Sequence, residues 1–281
     1  MRVLLLRAGA LGDALLLRQA IAALRSARHE PWLITPEAGR VLLGPGASEV
    51  AEVVSWDGAD AAALRAGTLL DLSPLGRRLA ATGAAIVFSR SAEVAEAVHR
   101  RVPRVIVRDP SPAQGHASAW LAEATRELGA EPAALPPDLV ATVGEVDAAA
   151  PWLDRLPTGF LALVEYVSAD RPWLLIEGPA DEAAAALLLS HPRAVRAYSL
   201  PARVLGALVA RASLYVGNDS GVSHLAAAFG APTLALFGPT DPAVWSPVGR
   251  RVTTVRSDDR TMAGLSVVAA RSAAETLIAD R

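Results

Sequence analysis

Between Leu214 and Phe237 the chain spells out a complete strand–turn–helix–strand unit, and no other stretch limits the fold as much. Leu214-Tyr215-Val216 is a short apolar run suited to a buried strand. Gly217-Asn218-Asp219-Ser220 is a small polar turn, and Val222–Phe229 reads as a helix. Gly230-Ala231-Pro232 stops that helix, and Thr233–Phe237 reads as the next strand. Two buried strands joined through a helix belong to a parallel sheet covered by helices. The stretch from Gly221 to Pro239 carries no charged residue and approaches membrane-spanning length, but the Gly-Ala-Pro break divides it into two buried elements. The apolar N-terminal run is likewise interrupted, by Arg7 and Asp13, before a signal-peptide core can form.

The same alternation runs through the rest of the chain. Strand-like runs at Arg2–Arg7, Pro31–Thr35, Glu52–Trp56, Ala84–Ser89 and Arg104–Arg108 alternate with helix-like stretches at Asp13–Arg28, Glu37–Leu43, Pro74–Thr82, Ser91–Arg101 and His116–Leu128. Pro132, Pro136, Pro137, Pro151 and Pro157 then mark a connection. A second series follows, with strands at Phe160–Tyr166, Trp173–Glu177 and Val195–Ser199 before the unit described first, and helices at Glu182–Ser190, Ala202–Ala212 and Ser266–Asp280. The predicted architecture is α/β: a Rossmann-like domain over 1–145, a linker over 146–158, a second Rossmann-like domain over 159–265 and a terminal helix over 266–281, with the two sheets facing a cleft. At 281 residues, 52% hydrophobic and 20% charged, the chain can build both cores.

Composition narrows the chemistry. A net charge of −2 gives no reason to expect nucleic acid as a partner. The absence of cysteine removes thiolate metal sites and cysteine nucleophiles and agrees with a cytoplasmic protein. All 27 basic residues are arginine, so a phosphate clamp here uses arginine, backbone amides or hydroxyls. No Asp-x-Asp pair occurs and the histidines do not cluster, so no metal-bridged diphosphate is predicted.

The turn after Val216 places unpaired amides and a positive helix end at the carboxyl edge of a sheet, where open α/β sheets bind ligands. Ser220 can cap the helix and donate to a phosphate, Gly221 permits close approach, and His224 lies one helical turn on. Asp219 and Ser220 serve equally well as plain caps of a buried helix, with His224 bonded inside the core. The second turn, Phe237-Gly238-Pro239-Thr240-Asp241-Pro242, ends the neighbouring strand and favours the ligand reading. In the first domain, Gly9 and Gly12 bring the loop before the first helix close to a ligand. Asp13 stands where the helix dipole favours an anion, and there it can serve as a general base or as a simple cap.

The run Val216-Gly217-Asn218-Asp219-Ser220-Gly221-Val222-Ser223-His224, continued through Phe237-Gly238-Pro239-Thr240-Asp241-Pro242, resembles the donor-site signature of glycosyltransferase family 9. That family comprises the ADP-heptose:lipopolysaccharide heptosyltransferases and has the GT-B fold. Leu4–Leu16 (LLLRAGALGDALL) resembles its other signature, and the stretch from His116 resembles its late first-domain helix. The resemblance implies an inverting, metal-independent transferase with no cofactor. Its substrate would be a nucleotide sugar, with ADP as the expected nucleotide, and its acceptor a glycan or glycolipid, with peripheral contact at the inner membrane face.

It also implies individual roles. Asp13 becomes the base, and Asp219, Ser220, Gly221 and His224 surround the diphosphate, flanked by the loop Gly238, Pro239 and Thr240. Glu182, Tyr198 and Leu200 lie where the family contacts the nucleoside. Two departures stand out. The family's Pro-Gly turn, phosphate-contacting lysine and helix after the first strand of the second domain are absent, because Glu165–Pro172 leads straight into Trp173. Arg171 sits nearest the lysine's place and is the candidate replacement. The family's proline in the first helix is also missing, near Gln19. A non-catalytic binding or assembly protein is therefore the second reading, and a sugar-nucleotide epimerase the third. The arginines Arg77, Arg78, Arg90, Arg250 and Arg251 are candidates for an anionic acceptor or for plain surface.

Overall fold

The computed structural model describes residues 1–45, 49–132, 135–156, 161–163, 173–178 and 192–279. The chain divides into two compact units, Met1–Pro136 and Pro137–Arg281.

In the first unit, strands β1 (Arg2–Arg7), β2 (Glu30–Thr35), β3 (Val53–Ser55), β4 (Ala84–Phe88) and β5 (Val105–Arg108) are ordered β3-β2-β1-β4-β5. All neighbours are parallel, and Leu4 of β1 stands opposite both Trp32 and Ala85. Their near-continuous apolar runs follow from burial on both faces. Leu4, Leu6, Trp32, Ile34 and Val87 pack with helix residues Leu64, Leu75, Leu79, Val94 and Val98. Sequence periodicity missed the helix Ala59–Arg65, and it joined Leu11–Leu16 and Arg18–Ser26 into one. The amide of Leu17 turns back to Ala14 O, which separates the two pieces. Gln19, at the place of the family's proline, accepts a hydrogen bond from Ser118 and ties Arg18–Ser26 to the helix Ala117–Glu123.

In the second unit, β6 (Leu161–Leu163), β7 (Trp173–Glu177), β8 (Ala194–Tyr198), β9 (Leu214–Asn218), β10 (Thr233–Phe237) and β11 (Val252–Arg256) form a parallel sheet ordered β11-β10-β9-β6-β7-β8. Both orders are doubly wound, and strand direction of travel reverses at β1/β4 and at β6/β9. β6 and β7 are parallel neighbours separated by only nine residues, 164–172, against the dozen or more usual for a helical crossover.

The stretch expected to link the domains holds instead the helix Val143–Leu153, which belongs to the second unit. Thr142 and Glu145 form its capping box: Glu145 N donates to Thr142 Oγ1 at 3.3 Å and Thr142 N to Glu145 Oε2 at 2.8 Å. The buried Arg203, on the helix Ala202–Val209, grips Glu145 at 3.0 Å and Val140 O at 2.8 Å. Burial acts to raise the Glu145 pKa, but the Arg203 guanidinium and Thr142 amide together hold it below its ordinary value. Arg203→Ala strands that carboxylate and is expected to cost about 3 kcal/mol in a urea melt of the whole chain. The terminal helix Val267–Ala279 is likewise no separate element, since Ala274 and Leu277 pack on Leu234, Leu236 and Val216.

Candidate functional site

The two loops singled out in the sequence each sit where their sheet's strand order reverses, the position at which doubly wound sheets take ligands. In the second unit β9 ends at Asn218, and the amide of Asp219 donates to Leu236 O at 2.9 Å, which stitches the turn to β10. Ser220 caps the helix Gly221–Ala228 with an extended backbone, and its exposed side chain makes no capping bond. The amides of Gly221 and Val222 open that helix, so no intrahelical acceptor exists for them. His224 follows one turn later, 7% exposed, its amide directed at Ser220 O.

The second turn reaches the first directly. Thr240 Oγ1 donates to Asp219 Oδ2 at 2.6 Å. The Asp219 carboxylate thus fastens one turn to the other, and it is the hydroxyl of Ser220 and the first-turn amides that stay open to a ligand. A Cβ at Gly238 would stand 2.9 Å from the Met262 amide, so glycine here lets the segment around Met262 lie against the turn.

Sequence reasoning missed the support beneath. Tyr215 is fully buried, its hydroxyl 3.2 Å from Ser223 Oγ, and Ser223 Oγ donates to Asn218 O at 2.5 Å. Gly217 is required by this network, because a Cβ there would lie 2.2 Å from Tyr215 Oη. The available signal was a tyrosine two residues before a glycine next to last in the strand, Tyr215 and Gly217, paired with a serine in the following helix.

Tyr198 lies elsewhere on the same sheet, and Leu200 lies in the loop that follows it. Tyr198 ends β8, three strands from β9, or about 14 Å. Its half-exposed ring lies under the Arg196 guanidinium, 4.8 Å from the ring centre, and Arg196 grips the buried Glu177 with two bonds of 2.8 Å. Arg171 and Glu182 fall outside the described residues, as does the expected helix Glu182–Ser190.

In the first unit, Asp13 fills the capping role that the sequence left open beside that of a base. Its Oδ2 accepts from Ala10 N at 2.8 Å, as a helix cap does. Its Oδ1 accepts from Arg7 Nη2 at 2.5 Å. Arg7, 2% exposed and read in the sequence only as a break in the apolar run, also donates to Pro110 O at 2.6 Å. A buried guanidinium therefore holds a partly exposed carboxylate at the end of β1. Gly9 adopts φ +142°, and a Cβ there would lie 2.3 Å from Asp13 Oδ2, so the loop closes over the carboxylate only with glycine. Gly12 is buried inside the first helical turn.

The candidate acceptor arginines are engaged by the chain itself. Arg78 pairs with Glu52, Arg90 with Asp109 through bonds of 3.0 and 2.9 Å, and Arg250 with Asp138. Arg77 and Arg251 bond to the carbonyls of Leu72 and Leu277. Hydrogen bonding to Arg90 holds Asp109 below its ordinary pKa. Arg90 also borders a shallow hollow with Ser89, Ser91, Glu96 and His99 beyond β4 and β5. Among the described residues, no three His, Cys, Asp or Glu stand together to hold a metal, and no helix is long and apolar enough to cross a membrane.

Comparison with known proteins places these loops in context. Residues 183–270 match the model of glycosyltransferase family 9 (heptosyltransferase). A stretch of 43 residues, 15% of this chain, is 49% identical to lipopolysaccharide heptosyltransferase 3 of Escherichia coli. A stretch of 49 residues, 17% of this chain, is 43% identical to lipooligosaccharide heptosyltransferase 2 of Haemophilus influenzae. These alignments span only 13% and 14% of the relatives' own length. The fold agrees over the whole chain. A family 9 glycosyl transferase from Veillonella parvula superposes with a TM-score of 0.82 at 16% identity, covering 100% of this chain and 98% of its own. E. coli heptosyltransferase WaaC with ADP gives 0.71 at 19% identity, covering 99% and 100%. E. coli ADP-heptose LPS heptosyltransferase II gives 0.72 at 17%, covering 100% and 99%. The chain has the GT-B fold, and its residues 183–270 resemble family 9 in sequence as well, as the motifs predicted.

Proposed function

We propose that this chain is a glycosyltransferase that moves a heptose or related sugar from a nucleoside diphosphate, ADP first among them, to a hydroxyl of a lipopolysaccharide-like glycan or glycolipid. The observation that carries the reading is the Thr240–Asp219 bond, which fastens two strand-end turns beside the open start of Gly221–Ala228. The family match over 183–270 and the ADP bound by the WaaC structure support it. In this reading Asp13 takes the proton of the acceptor hydroxyl while its oxygen bonds to the anomeric carbon. The bond from that carbon to the diphosphate breaks, and the nucleoside diphosphate leaves with the electron pair, inverting the centre. Charge developing on the leaving group meets the Ser220 hydroxyl and the amides of Gly221 and Val222. In the same reading Arg171 contacts the phosphates, and Glu182, Tyr198 and Leu200 contact the nucleoside. The protein works in the cytoplasm, at the inner face of the membrane that carries its acceptor.

Transfer runs without a divalent metal in this account. ADP at a hundredfold excess over its Kd, in EDTA, should therefore raise the melting temperature on the order of 5 °C. A shift seen only with added magnesium contradicts the metal-free reading. The short 164–172 connection favours, as a second reading, a non-catalytic binding or assembly protein. A well-folded chain with no nucleotide-dependent melting shift distinguishes it, and product formed from the donor alone marks an epimerase.

A further inference from the structure

Arg256 closes β11, the strand next to β10, and its register partner is Phe237. Side chains alternate along a strand. Val255 packs into the core under Val267–Ala279, so Arg256 faces the opposite side, the one that Tyr215, Gly217 and Phe237 share beneath the helix Gly221–Ala228. From there its guanidinium rises to the second turn. Nη2 donates to Pro239 O at 3.4 Å, and Nη1 stands 3.4 Å from Asp241 Oδ1. Nε is buried without a hydrogen-bond partner among the described residues. Charge-assisted bonds normally measure about 2.7–2.9 Å, so both contacts leave the guanidinium's donors underused. Thr240 lies between Pro239 and Asp241 and bonds to Asp219, so Arg256, the turn and the open helix start form one continuous line across the sheet edge. The two outer strands of that line are about 10 Å apart, a span that a diphosphate lying over the turn can bridge.

We infer that Arg256 engages the phosphate of the nucleoside diphosphate that lies farther from the nucleoside. In a chain without lysine it joins Arg171 as a second donor-site cation, through a planar fork suited to phosphate oxygens. The inference rests on the donor reading above. Calorimetric titration of the full chain in EDTA with ADP, AMP and adenosine tests it. R256Q should weaken ADP about ten- to hundredfold, AMP by less, and adenosine not at all. D241N, which removes the carboxylate competing for the guanidinium while asparagine still caps Pro242–Trp245, should bind ADP as tightly as the parent or tighter. Unchanged ADP affinity in R256Q overturns the inference alone. Equal losses for ADP and adenosine, or a D241N variant as weak as R256Q, make Arg256 a brace for the turn and overturn it too. A parent chain that binds no ADP overturns the donor reading together with this one. If R256Q does not fold, R256K replaces it, with a smaller ADP-specific loss expected and the same contrary results.

Discussion

Asp13→Asn should lower turnover about 10²- to 10⁴-fold, the range a positioned general base contributes, while leaving the ADP-dependent melting shift at its parental size. The separation follows from where the groups sit. Asp13 stands at the end of β1 in the first unit, and the turns assigned to the diphosphate belong to the second. Asparagine keeps an oxygen for the Ala10 amide or for Arg7, but it takes no proton and leaves the buried Arg7 without an anion. Part of the loss therefore appears as stability, and a denaturant melt beside the kinetics separates the two. Gly9→Ala should reproduce the turnover defect without touching the carboxylate's chemistry, because its methyl occupies the place of Asp13 Oδ2 and its φ of +142° suits no side chain. Turnover within twofold of the parent in Asp13→Asn would remove it from the mechanism.

Gly217→Ala should destabilise the second unit by about 1–3 kcal/mol, the usual cost of overpacking a filled site, and abolish the ADP shift. The added methyl meets Tyr215 Oη at 2.2 Å, Cζ at 2.7 Å and Cε1 at 2.9 Å. Tyr215 is fully buried and has no space to withdraw into. The phenol must leave Ser223, and Ser223 holds the Asn218 carbonyl from which the turn departs. Tyr215→Phe alone removes one buried hydrogen bond and should cost only about 1 kcal/mol. Combined with Gly217→Ala it should recover part of the stability, because the closest clash disappears. Differential scanning calorimetry with and without ADP measures both effects. A Gly217→Ala variant that binds ADP as the parent does would show that the Tyr215 network does not shape the site.

The sheets and the two site loops were legible because they depend on local signals. Short apolar runs such as Leu4–Leu6 and Leu234–Leu236, punctuated by glycine-bearing turns, read as buried strands. The helix Val143–Leu153 was hidden by Pro151 inside it, although Thr142 and Glu145 carried a capping-box spacing that was available to be read. What the sequence could not disclose were pairings across the fold. Arg7 with Asp13, Arg203 with Glu145, Tyr215 with Ser223 and Arg256 beside Pro239 each depend on register or on packing between elements. The surface arginines stayed open between an acceptor site and plain surface for the same reason, since their partners Glu52, Asp109 and Asp138 lie at least 19 positions away in sequence. Nor did any local signal announce that the Asp219 carboxylate accepts from Thr240 and leaves the Ser220 hydroxyl open beside it.

A crystal of the chain soaked with ADP in EDTA tests the central claim most directly. The account predicts phosphate oxygens within hydrogen-bonding distance of the Gly221 and Val222 amides and of Ser220 Oγ, with the Thr240–Asp219 bond intact. Nucleotide density away from this turn, or none at millimolar ADP, would contradict it.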